Sequence, residues 1–137
     1  MSVEKQRREA QRSLRQADDD LEAARLLLAG RKFAQSAFLS QQAGEKAVNA
    51  PWFAVDADPW GHSLARLLRD LPDEALRERF SHLLDAALAL DKLYIPTRYP
   101  DALAELVPGE AYTQAEAEAA VSHAAAIVQA VKDWLAE

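Results

Sequence analysis

Apolar residues recur every three or four positions along nearly the whole chain, which is the spacing of one helix face. Leu14, Ala17, Leu21, Ala24 and Leu28 write the first such stripe, on a helix that should run from near the start to about Ala29 and stop at Gly30. Composition agrees, with 29 alanines and 19 leucines against 11 valines, isoleucines and threonines in 137 residues. Pleated sheets draw on β-branched residues, so a large β-sheet is excluded. The length suits one domain, residues 1–137. The chain has no cysteine, which excludes disulfides, thiolate zinc sites and cysteine nucleophiles. No apolar run approaches the ~18 residues of a membrane span. The opening segment, Ser2 to Arg15, is densely charged, so the expected location is cytoplasmic, with no membrane partner.

Gly30-Arg31 is a short break, and the second helix, Phe33 to about Ala50, should fold back antiparallel. Its inner face holds Phe33, Ala34, Ala37, Phe38, Gly44 and Val48, and also the polar Gln41 and Glu45. Pro51 should end or kink that helix. Pro51 to Gly61 reads as a loop with room for a final helical turn. Ser63 caps a short third helix bearing Leu64, Leu67, Leu68 and Leu71. Pro72-Asp73-Glu74 opens a fourth, with a stripe of Leu76, Phe80, Leu83 or Leu84, Ala87, Leu90 and Tyr94. Tyr94 to Tyr112 reads as irregular. Thr113 with Glu116 forms a capping box for the last helix. The expected fold class is all-α, an up-and-down bundle of four long helices plus one short helix.

Net charge is −6, and the last 37 residues alone carry one base against seven acids, leaving the first hundred neutral. A binder that used its whole surface on nucleic acid would be basic throughout, so phosphate contact here has to be local. Asp18-Asp19-Asp20 reads as a solvated face. Gln41 and Glu45 read either as a satisfied polar pair or as part of a pocket or dimer interface. Trp52, Phe53 and Trp60 suit either an interface or the end of the bundle. The run Tyr94-Ile95-Pro96-Thr97-Arg98-Tyr99-Pro100-Asp101 sets an arginine between tyrosines on a proline-stiffened backbone. A guanidinium fork fits phosphate, and the rings can stack on a base, although an Arg98–Asp101 or Arg98–Glu45 salt bridge would equally lock the loop. His62, His82 and His123 lie on different elements without metal-binding spacing, and no cofactor motif occurs.

Several blocks together resemble one family. Ala24-Arg25-Leu26-Leu27-Leu28, Phe33-Ala34-Gln35-Ser36-Ala37-Phe38 and Gln41-Gln42-Ala43-Gly44-Glu45-Lys46-Ala47 look like the first hairpin of the HEPN domain, the higher eukaryotes and prokaryotes nucleotide-binding domain. Gly61-His62-Ser63-Leu64 and the run Tyr94 to Asp101 are similar to its later blocks. The resemblance implies a helical bundle that forms homodimers and acts beside a minimal nucleotidyltransferase in toxin–antitoxin-like pairs. It also implies nucleotide or RNA as ligand, with Arg98, Tyr94, Tyr99, Thr97, Asp101, Glu45, Gln41 and His62 as candidate site residues. Other members are metal-independent ribonucleases that carry a histidine four to six residues after an arginine. Arg98 matches that arginine and is the catalytic candidate if this chain is a nuclease. Residues 102 to 104 are Ala102, Leu103 and Ala104, so the histidine is missing and the expectation leans away from an enzyme. A purely structural assembly bundle is the third reading.

Overall fold

The computed structural model describes residues 2–94 and 105–137. Among them the elements are α1 (Val3–Ala29), α2 (Phe33–Ala54), α3 (Leu64–Arg69), α4 (Glu74–Phe80), a 3-10 turn (Ser81–Leu83), α5 (Leu84–Asp91), α6 (Pro108–Ala111) and α7 (Gln114–Leu135). No strand occurs among the described residues. α1, α2, α7 and the contiguous rod of α4, the 3-10 turn and α5 are the four long helical segments. α2 lies at the centre, packed on α1, α7, α3 and α5.

α1 buries Ala10, Leu14, Ala17, Leu21 and Ala24, four of the five expected stripe residues among them, while Leu28 is half-buried. The turn after it passes its left-handed residue one position late, at Arg31 (φ 63°), while Gly30 stays at φ −81°. The Arg31 guanidinium lies 5.4 Å from the centre of the Phe33 ring, a cation–π contact across the turn. The acidic run is not wholly solvated. Asp20 is buried, because it meets the Lys46 ammonium of α2 in an ion pair and accepts from Gln16 Nε2 at 2.9 Å.

α2 runs through Pro51 to Ala54 instead of ending before it. In the last turn a proline forfeits only one helical hydrogen bond. Pro51 is fully buried, and Trp52 beside it is anchored by its indole N–H, which donates to the Leu67 carbonyl at 3.1 Å. The fourth helical segment buries Leu76, Phe80, Leu83, Ala87 and Leu90 as expected, but it is not one α-helix. The Ser81 hydroxyl donates back to the Glu78 carbonyl at 2.8 Å, and the chain tightens to a 3-10 turn there. The stretch expected to be irregular contains one helical turn, α6, started by Pro108 at a position where its missing N–H costs nothing. Thr113 and Glu116 form the expected capping box on α7, with Thr113 N donating to Glu116 Oε1 at 3.0 Å and Glu116 N to Thr113 Oγ1 at 3.2 Å.

The bundle is also tied at its far end. The Arg7 guanidinium donates to the Leu135 carbonyl at 2.7 Å, and Arg79 of α4 pairs with Glu137, holding that carboxyl below the usual carboxylate range. Near the middle of α2, Gly44 permits the close approach on which the site depends. A Cβ there would meet Leu64 Cδ2 at 2.6 Å and Leu90 Cδ1 at 2.8 Å. Both leucines are fully buried, so neither can swing aside freely. Gly44→Ala should gain helix propensity yet lose about 1–2 kcal/mol net through overpacking. Chemical unfolding would show a lowered midpoint, and an unchanged or raised midpoint would contradict this packing.

Candidate functional site

Asp91 lies at the C-terminal end of α5, where the helix dipole disfavours an anion. Its carboxylate is held instead by the start of α3. Asp91 Oδ1 accepts from the Leu64 amide at 2.6 Å, and Oδ2 accepts from the Ala65 amide at 3.1 Å and the Ser63 hydroxyl at 2.8 Å. The Ser63 oxygen also accepts from the Arg66 amide at 3.2 Å, as an N-cap should. His62 immediately precedes this clamp, and Tyr94 follows Asp91 by three residues. The carboxylate thus ties together the segments that carry the two rings, which stack with centroids 4.8 Å apart and planes 15° from parallel.

α2 supplies the other side. Glu45 is 13% exposed and reaches His62 Nδ1 at 2.9 Å through Oε1. Its Oε2 accepts from Gln41 Nε2 at 3.1 Å, and the same amide lies 3.5 Å from the His62 carbonyl. Gln41 Oε1 accepts from Gln42 Nε2 at 2.7 Å, so this fully buried amide is satisfied at both ends. A carboxylate cannot donate, so the His62 nitrogen facing it carries the proton. Nε2 is left as the proton acceptor of a neutral ring or the second donor of a charged one. The His62 side chain is 60% exposed, which leaves the ring accessible from outside.

Of the residues expected in the site, Gln41, Glu45, His62 and Tyr94 come together. Thr97, Arg98, Tyr99 and Asp101 lie outside the described residues, and so does any Arg98–Glu45 contact. Within the described residues the two Glu45 oxygens serve Gln41 and His62. His82 is exposed on the 3-10 turn, facing the Arg79 carbonyl, and His123 is half-buried on α7. No cluster among the described residues could hold a metal ion, and none of their helices is long and apolar enough to cross a membrane. Sequence reasoning missed Asp91. The signal was available: a carboxylate at a helix C-terminus opposes the dipole and calls for a donor elsewhere.

Residues 10–134 match the model of the HEPN domain. The chain belongs to the HEPN family. The matched span contains every residue of the cluster and all of the expected site. The HEPN fold is shared with solved structures. One from Thermus thermophilus, TT1696, is 39% identical with a TM-score of 0.84, over 90% of this chain and 96% of that one. ST0689, described as an archaeal HEPN homologue, is 35% identical with a TM-score of 0.75, over 92% and 97% of the two chains. A HEPN domain protein of Thermotoga maritima is 34% identical with a TM-score of 0.69, over 92% and 98%. Among curated proteins, "Putative toxin MJ1304" of Methanocaldococcus jannaschii is 28% identical over 131 residues, covering 90% of this chain and 86% of its own.

Proposed function

We propose that this HEPN domain binds the phosphate of a nucleotide or RNA strand beside His62, and works as a homodimer with a minimal nucleotidyltransferase in a toxin–antitoxin-like pair. The observation that carries the binding part is the Glu45–His62–Tyr94 cluster. It joins side chains from three parts of the chain and leaves an imidazole edge open to solvent. Arg98 follows Tyr94 by four residues in the sequence. In this reading Arg98 takes the phosphate bidentately, His62 adds a second donor, and Tyr94 or Tyr99 shapes the base side. The toxin relative supports the toxin-associated part of this reading, and the family resemblance supports dimer and partner.

Calorimetric titration with a nucleoside monophosphate and with a short RNA oligonucleotide tests the binding. Arg98→Ala should weaken it about ten-fold, the loss of one charge-assisted contact. Binding that is absent in the parent chain, or indifferent to Arg98→Ala, would overturn the reading. Sedimentation tests the dimer, and co-purification with an adjacently encoded nucleotidyltransferase tests the pair.

One observation favours a second reading, a metal-independent ribonuclease. Glu45 on Nδ1 leaves Nε2 of a neutral His62 free to take the proton of a ribose 2′-hydroxyl as O2′ attacks phosphorus and the 5′-oxygen leaves. The histidine missing after Arg98 would then be supplied by the loop that precedes α3. RNA cleavage by metal-free protein, lost in His62→Ala, would favour this reading over the first.

A further inference from the structure

His62 has a second neighbourhood. It also lines a cleft of about 570 Å³ between the end of α2, the following loop and α3, together with Trp52, Trp60, Arg66 and Asp70. That volume falls within the ~300–1,000 Å³ typical of small-molecule sites. The indoles play different parts. Trp52 is half-buried, and its N–H is committed to the Leu67 carbonyl, so it can offer a visitor only its ring. Trp60 is 84% exposed, an unusual place for the largest apolar side chain. Its loop passes through left-handed backbone at Asp56 (φ 57°) and Gly61 (φ 80°), which bracket and present it. Arg66 meets Asp70 only at 3.5 Å, with both side chains largely exposed, a pair weak enough to open for a ligand.

We propose that this cleft is a nucleobase subsite, in which a base stacks on Trp60 while its phosphate is held at the His62 edge. Flat aromatic faces stack on any base, and a guanidinium beside them answers the attached phosphate. A carboxylate such as Asp70 can accept from the amino group of a base. Continuity decides between this occupant and a protein partner: His62 belongs to both the cleft and the phosphate cluster, so one nucleotide can span them. The subsite rests on the phosphate-binding reading above. The shared chemistry is a base with its phosphate, from a free nucleotide or an RNA strand.

The test titrates the full chain with AMP and, separately, with hexa-adenylate, reading tryptophan emission and calorimetric affinity. The parent and the variants Trp60→Ala, Trp60→Phe and Arg98→Ala are compared. Trp60 is so exposed that its replacement should leave the fold intact. Whichever probe binds should quench emission, and Trp60→Ala should weaken it about ten-fold, with Trp60→Phe recovering part. Equal affinity for the two probes identifies a free nucleotide as the source, and hexa-adenylate alone identifies an RNA strand. Unchanged affinity in Trp60→Ala alongside a loss in Arg98→Ala overturns the subsite and spares the phosphate site. A changed sedimentation mass in Trp60→Ala with unchanged affinity marks a protein contact and also overturns it. Failure of both probes to bind the parent overturns both readings.

Discussion

Asp91→Ala is expected to lower the stability of this HEPN domain by about 2–4 kcal/mol and, on the proposed phosphate-binding reading, to abolish ligand binding at His62. The side chain makes three hydrogen bonds, two to amides at the first turn of α3 and one to the Ser63 hydroxyl. Alanine leaves those donors short of a partner in a half-buried place and removes the anion that the α3 dipole favours. It also removes the tether that sets His62 against Tyr94. Thermal unfolding followed by circular dichroism should show a midpoint roughly 10 °C lower. Asp91→Asn separates charge from shape. It keeps one acceptor but turns an amide donor toward other donors, so it should recover only part of the loss. A midpoint within about 2 °C of the parent for Asp91→Ala would show that the clamp carries little energy.

This clamp also marks the limit of what the sequence discloses. Helix stripes, the Ser63 and Thr113 caps and the inward Gln41 and Glu45 were legible, because each is written within one turn of one helix. Pro51 was legible only in part: the local rule leaves an end or a kink there, with room for a final turn, while burial of its ring and the Trp52 anchor, both tertiary, carry the helix onward to Ala54. Asp20 was misread for the same reason, since Lys46 lies 26 residues away in the chain. The site shows the contrast most clearly. Gln41 and Glu45 stand out as polar residues on an apolar stripe. Their joining to His62 and Tyr94 depends on Gly44 letting α3 and α5 close on α2, and on Asp91 bridging 28 residues to Ser63. Neither contact has a periodicity by which it could be found.

Glu45→Gln should distinguish the two functional readings, because Gln41 dictates which way the new amide turns. The Gln41 oxygen already accepts from Gln42, so Gln41 presents its NH₂ to position 45. A glutamine there must meet that donor with its carbonyl, and its own NH₂ then faces His62 Nδ1. Nδ1 has to give up its proton, which moves to Nε2. The ring is left with the opposite tautomer and no carboxylate beside it. As a phosphate ligand it still offers an N–H, so affinity for a nucleoside monophosphate should fall only about five- to ten-fold. As a general base it has no free nitrogen on the open edge. Any metal-free RNA cleavage should then fall by about ten-thousand-fold, the scale seen when the aspartate of a serine-protease triad becomes asparagine. Size and fold are nearly conserved, so the unfolding midpoint should barely move. Calorimetry and an RNA cleavage assay on the same preparation give the answer together. A modest loss of affinity, with no cleavage in either protein, identifies a binding module. A collapse of cleavage identifies a nuclease whose histidine comes from the loop before α3. An affinity and a cleavage rate both unchanged would mean that Glu45 merely packs, and that the phosphate is held elsewhere.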